Sequence, residues 1–152
     1  MSIRRIAAVL AVGVWVIAGP AFADDLLLSK GDATDLIASN VGKPYWQMEA
    51  QCAGMFGAAY SFDVDRHKPA EADRAKASGI SMLNEAIGRL QADRGIDQPA
   101  ALNLAAQEVE VGRAGAKTAL ERQGAGPGSY YNWMRSACFD ISDAQRRHTA
   151  QR

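Results

Sequence analysis

The chain has 152 residues, with 17 lysines and arginines balanced by 17 aspartates and glutamates. This balance excludes a polybasic nucleic-acid-binding protein and a protein with a strongly acidic tail. A chain of this length is expected to form one domain with a sizeable core.

The first 23 residues, 1–23, predict a cleaved secretory signal peptide. Arg4 and Arg5 supply the positive charge, and an apolar run of 14 residues follows them. At about 1.5 Å per residue this run spans roughly 21 Å, which is shorter than the hydrocarbon core of a membrane. Small residues precede the expected cut after Ala23. We therefore expect Sec-type export and a mature domain, 24–152, in the periplasm or outside the cell, without a membrane anchor.

The mature domain contains two cysteines, Cys52 and Cys138. An even pair of cysteines in an oxidising compartment normally forms a disulfide, and only one intramolecular pairing is possible here. Closing a loop of this length stabilises the fold by about 4 to 5 kcal/mol in the chain-entropy model.

A proline precedes or begins each of four segments with a helical pattern of apolar residues. Proline suits the first helical turn, where its missing N–H costs nothing. The patterns predict four helices, and a shorter helix around 32–39 is expected before them. The predicted helices cover 44–62, 69–94, 99–123 and 128–148. Strict alternation of apolar and polar residues, which would indicate strands, does not occur.

Each predicted helix has one apolar face. The first face is Tyr45, Met48, Cys52, Met55, Ala59 and Phe62. The second is Ile80, Leu83, Ile87 and Leu90. The third is Leu102, Ala105, Val109, Gly112, Ala116 and Ala119. Because this third face consists mostly of small residues, its helix can approach its neighbours closely. The fourth is Tyr131, Met134, Cys138 and Ile141.

Short connections between the helices favour antiparallel neighbours. The sequence therefore predicts an all-α fold, a four-helix up-down-up-down bundle with a short N-terminal helix and one disulfide. The alternative is an irregular all-α fold with kinks at Gly54, Gly57 and Gly112.

Two segments share the pattern Tyr-x-x-Met-x-x-x-Cys, from Tyr45 and from Tyr131. On a helix these three residues lie on one face, so the repeat is interpreted as a disulfide layer between methionine and tyrosine layers. The alternative is a soft-metal site for Cu(I), which requires both thiols reduced. Its ligands would be Met48, Cys52, Met134 and Cys138.

Catalytic and cofactor chemistry find little support in the sequence. A haem would need Met48 or Met55 together with His148, and no Cys-x-x-Cys-His motif is present for covalent attachment. His67 lies in a charged loop that is interpreted as a solvated turn. No serine-hydrolase or phosphate-loop motif occurs. We therefore expect no cofactor and no enzymatic activity.

Three aromatic residues lie off the apolar faces and predict a surface for a partner: Trp46, Tyr130 and Trp133. The alternative is that they cover the side of the bundle. The leading hypothesis is a non-enzymatic module that binds another periplasmic or envelope protein, as an inhibitor, an immunity-type protein or an assembly factor. The second hypothesis is a soft-metal or haem carrier. Export and the slight acidity of the mature domain disfavour nucleic acid.

Overall fold

A computed structural model of the chain describes residues 25–150, so the predicted signal peptide lies outside the described residues. These residues form four long helices: α1, Tyr45–Asp65; α2, Pro69–Arg94; α3, Gln98–Gln123; and α4, Tyr130–Ala150. The helices pack as a four-helix bundle, which confirms the predicted fold class.

The helices begin and end where local chemistry requires it. Pro69 occupies the first turn of α2, and Gly95 ends that helix with a left-handed φ of 61°. The Asp97 side chain accepts a hydrogen bond from the backbone N–H of Ala100 at 2.9 Å and caps α3. The Ser129 hydroxyl accepts one from Asn132 at 3.1 Å at the start of α4.

The segment before α1 is less helical than predicted. It contains one 3₁₀ turn, Ala38–Asn40, in place of a helix over 32–39. The chain there doubles back, with the backbone N–H of Leu28 donating to Lys43 at 3.0 Å. The Asp25 carboxylate joins this segment to the end of α2 through two hydrogen bonds from Arg94, of 2.8 and 2.7 Å.

The central element is α1, because it is buried on several sides rather than along one face. It packs extensively against both α2 and α3, which hardly touch each other. The contact with α3 brings two backbones together. A Cβ atom on Gly54 would lie 1.8 Å from the carbonyl oxygen of Val109, and one on Gly112 would lie 1.9 Å from that of Gln51.

These glycines decide between the predicted alternatives. Gly54 and Gly112 lie inside continuous helices at a close crossing, so they allow helix contact. Close approach also explains two errors in the predicted apolar faces. Ile80 and Leu102 are exposed, Ile80 by 53%. The buried surface of α3 consists largely of alanines, which permit the short distance to α1, whereas α2 buries three alanines together with Met82, Ile87 and Leu90.

Candidate functional site

The fourth helix is attached to α1 by the disulfide between Cys52 and Cys138, whose Cα atoms lie 5.6 Å apart. The predicted bridge is thus confirmed. α4 packs less extensively against α1 than α2 and α3 do, although its apolar face is buried in the shared core from Tyr131 to Ala144. Its limited packing leaves a concave surface on each of its two sides.

One concave surface lies between α3 and α4, and we call it the α3–α4 groove. Its volume is about 330 Å³. Three methionines and the disulfide form its apolar floor: Met48, Met55, Met134, Cys52 and Cys138. The Met55 and Cys138 sulfur atoms lie 3.9 Å apart. Because methionine is flexible and polarisable, this floor can adapt to different apolar groups.

The rim of the α3–α4 groove carries two of the three aromatic residues that the sequence singled out. The rings of Tyr130 and Trp133 stack with centroids 5.5 Å apart and an interplanar angle of 11°. Tyr130 is 52% exposed and Trp133 43% exposed, and Val111 on α3 is exposed across the groove. The sequence prediction that this pair is available at the surface agrees with its position.

The prediction that Trp46 belongs to the same surface is wrong. Trp46 is only 7% exposed and packs in a cluster with alanines and leucine of α2 and α3. The guanidinium of Arg94 lies 5.0 Å from its ring. Trp46 is off the main apolar face of α1, but α1 is central, so that side of the helix is also covered.

The disulfide is incompatible with the soft-metal alternative, because the Cys52 and Cys138 sulfurs are bonded to each other and are not thiolates. The arrangement of the described residues does not test the haem alternative. His148 lies 3.6 Å from the Asp32 carboxylate near the end of α4. His67 is exposed in the α1–α2 loop with a left-handed φ of 55°.

A partly buried polar cluster that the sequence did not reveal joins α1, α2 and α4. Glu49 on α1 is fully buried. Ser142 donates a hydrogen bond of 2.7 Å to Glu85, and the Arg146 guanidinium lies 3.6 Å from the same carboxylate. Burial, together with the adjacent Glu85 carboxylate, raises the pKa of Glu49 to about 9. Glu49 is therefore protonated at neutral pH, and its proton relieves the repulsion between the two carboxylates.

Within residues 25–150, no helix has both the length and the apolar character needed to cross a membrane. The same part of the chain holds no group of three or more His, Cys, Asp or Glu side chains arranged to share a metal ion. No protein-family model, curated protein or solved structure matches the chain. Its own surface is therefore the basis for a functional proposal.

Proposed function

We propose that this protein is a non-enzymatic module that binds another protein of the periplasm or cell envelope through the α3–α4 groove. The observation that carries the proposal is the exposed Tyr130–Trp133 stack on the rim of an apolar groove. Tyr and Trp are enriched in protein interfaces and among the residues that contribute most of the binding energy. An inhibitor, an immunity-type protein or an assembly factor would each use such a surface.

The chemistry of the groove favours an extended or helical segment of a partner that inserts a few apolar side chains. Its floor is apolar, whereas its edge includes the polar residues Ser39, Asn40 and Gln51. An apolar centre with a polar rim is the usual arrangement of a protein interface. The groove of about 330 Å³ holds the anchor of such an interface rather than the whole contact area.

Two properties of the chain support the proposed compartment. Its first residues have the pattern of a secretory signal, and its two cysteines form a disulfide. Disulfides persist in oxidising environments, so we infer that the partner is also exported or exposed on the outer side of the cytoplasmic membrane.

The test is site-specific photo-crosslinking in intact cells, with p-benzoylphenylalanine at position 111 or 133. A crosslinker at the exposed position 80 on α2 is the matched control. We expect one protein to be captured from both groove positions and not from position 80. The purified partner should then bind Trp133→Ala about 30-fold more weakly, as expected for the loss of an aromatic interface contact of about 2 kcal/mol.

The variant Ile80→Ala should bind the same partner with unchanged affinity, because Ile80 is exposed but lies outside the groove. Equal affinity of Trp133→Ala and the unmodified protein would contradict the proposal. Crosslinking of the chain only to a second copy of itself would also contradict it, since the groove would then be a homodimer interface.

A further inference from the structure

The second concave surface adjoins the opposite side of α4, and we call it the basic pocket. It lies between the first half of α2, the end of α1 and the first turns of α4, and the loop 124–127 forms one wall. Its volume is about 810 Å³, within the range of pockets that hold small molecules. It shares no lining residue with the α3–α4 groove.

The lining of the basic pocket has an excess of positive charge. Its four basic side chains come from three parts of the chain: Arg66, Lys68, Arg74 and Arg135. Its two carboxylates are Asp63 and Glu71. This excess is local, because the whole chain has equal numbers of basic and acidic residues.

The two carboxylates offset only part of this charge. Glu71 is paired with Arg74 at 3.5 Å, so each largely neutralises the other. Asp63 is buried at the end of α1, so one carboxylate remains for three basic side chains. Arg66, Lys68 and Arg135 are exposed and remain as the positive groups available to a ligand.

The same pocket contains aromatic rings beside its cations. Phe56 and Phe139 contact each other with ring centroids 5.6 Å apart, and Phe139 remains partly exposed. The Arg66 guanidinium lies 3.5 Å above the centroid of the Phe62 ring. Arg135 is oriented by Asn132, whose side-chain oxygen accepts its hydrogen bond at 3.1 Å. Two of the cations are therefore positioned by neighbours next to an apolar surface.

We propose that the basic pocket binds a small amphipathic anion, a phosphate or carboxylate attached to an aromatic or alkyl group. Arginine forms strong, directional hydrogen bonds with both kinds of anion, so Arg66 and Arg135 would contact the charged end. The exposed face of Phe139 would contact the apolar end. This site is independent of the protein-binding function proposed above.

The test uses phenyl phosphate as the probe, with backbone amide NMR titration of the full exported domain at low salt. Inorganic phosphate and phenol, its two halves, are titrated in parallel. We expect phenyl phosphate to bind at least about tenfold more tightly than either half, with shifts at 62–78 and 131–139. Affinity should decrease as salt is added, because charge contributes to binding. Comparing phenyl phosphate with hexyl phosphate shows whether the site prefers an aromatic or an alkyl group. Comparing it with phenylacetate shows whether the site prefers phosphate or carboxylate.

Two variants connect the binding to the proposed contacts. Arg135→Gln and Phe139→Ala should each weaken phenyl phosphate by roughly tenfold, the effect of losing one charged hydrogen bond or one apolar contact. Both residues are exposed, so the fold should persist, which circular dichroism checks. Arg113→Gln on α3 is the matched control, because Arg113 is an exposed arginine outside the pocket.

Three results would overturn the proposal. The first is the absence of any titration by phenyl phosphate at millimolar concentration. The second is equally tight binding of inorganic phosphate, which would show that the aromatic rings do not contribute to binding. Equal binding by Arg135→Gln and the unmodified domain would show that the anion lies elsewhere.

Discussion

The attachments of α3 and α4 to the central helix α1 differ in kind. Backbone atoms of α1 and α3 meet at Gly54 and Gly112, so this interface depends on continuous close packing. α4 is attached through the disulfide and packs less extensively against α1, with one apolar face in the shared core. A covalent bond keeps a helix in place without requiring complementary surfaces along its length. The sides of α4 are therefore free to form concave surfaces, and the α3–α4 groove and the basic pocket both adjoin it.

The largest expected effect comes from breaking the backbone contact of α1 with α3. In Gly112→Ala the new Cβ would meet the Gln51 carbonyl oxygen at 1.9 Å, so the helices must separate along the whole interface. We expect a loss of more than about 5 kcal/mol in the free energy of unfolding, at the extreme end for single substitutions. Urea denaturation measures it.

The matched control is Gly115→Ala on the same helix, where a Cβ would meet nothing within 4 Å. Alanine is favoured over glycine in a helix by up to about 1 kcal/mol, so this variant should be slightly more stable. Equal destabilisation by both substitutions would show that the close contact does not hold α3.

Removing the disulfide tests the other attachment. The double variant Cys52→Ala/Cys138→Ala loses a link between residues separated by 86 positions, which the chain-entropy model values at about 4 to 5 kcal/mol. We expect the amides of α4 to exchange with deuterium much faster than those of α1 and α3 under native conditions. Uniform acceleration in all four helices would contradict the independent attachment of α4.

A third prediction concerns the buried cluster through which α4 also meets α1 and α2. The pKa of Glu49 rises from 4.5 to about 9 on folding, so the folded state keeps a proton that the unfolded state releases. The free energy of unfolding should therefore be highest below about pH 4.5 for this group and decrease as pH rises towards 9. Glu85 and Arg146 face the same cluster and remain in every variant.

Urea denaturation at pH 5, 7 and 9 measures this dependence. Glu49→Gln should remove most of the decrease and be more stable than the unmodified protein at pH 9. Glu110→Gln, at an exposed position on α3, should retain the decrease. The same slope in Glu49→Gln and in the unmodified protein would assign the pH dependence to other groups.

The smallest expected effects are at the exposed rings of α4. Trp133→Ala should change the free energy of unfolding by less than about 1 kcal/mol, and Phe139→Ala by about 1 to 2 kcal/mol, because both rings are partly exposed but Phe139 also packs on the buried Phe56 ring. Thermal denaturation of both variants checks this. A larger loss would show that these rings stabilise α4, and it would weaken their assignment to binding.

The sequence predicted the helices well because their ends depend on local chemistry. The positions of proline and glycine predicted the ends of α2 at the residues where the structure has them. The two cysteines allowed only one intramolecular disulfide, which the structure contains. The Tyr-x-x-Met-x-x-x-Cys repeat also placed Tyr45 and Tyr131 correctly in the core. Helix ends, the disulfide and the two buried tyrosines can all be predicted without knowing which helix lies at the centre of the bundle.

The errors about which side chains are buried have one origin, the central position of α1. A single apolar face of period 3.6 describes a helix buried on one side, but α1 also buries Trp46, Ala50 and Glu49. The same geometry leaves Ile80 exposed, because small residues form the contacts nearest to α1. The basic pocket combines residues from segments that are far apart in the sequence. The spacing of residues within one segment could therefore not predict it.

The crossing of α1 and α3 also restricts which substitutions evolution can accept. Neither Gly54 nor Gly112 has room for any side chain, and Cys52 needs its partner Cys138. Relatives that share this architecture should keep the motif Cys-x-Gly in the first long helix, a glycine in the third and a cysteine in the fourth, even where the surfaces have diverged completely. These four positions provide a means of recognising distant homologues when overall identity no longer does so.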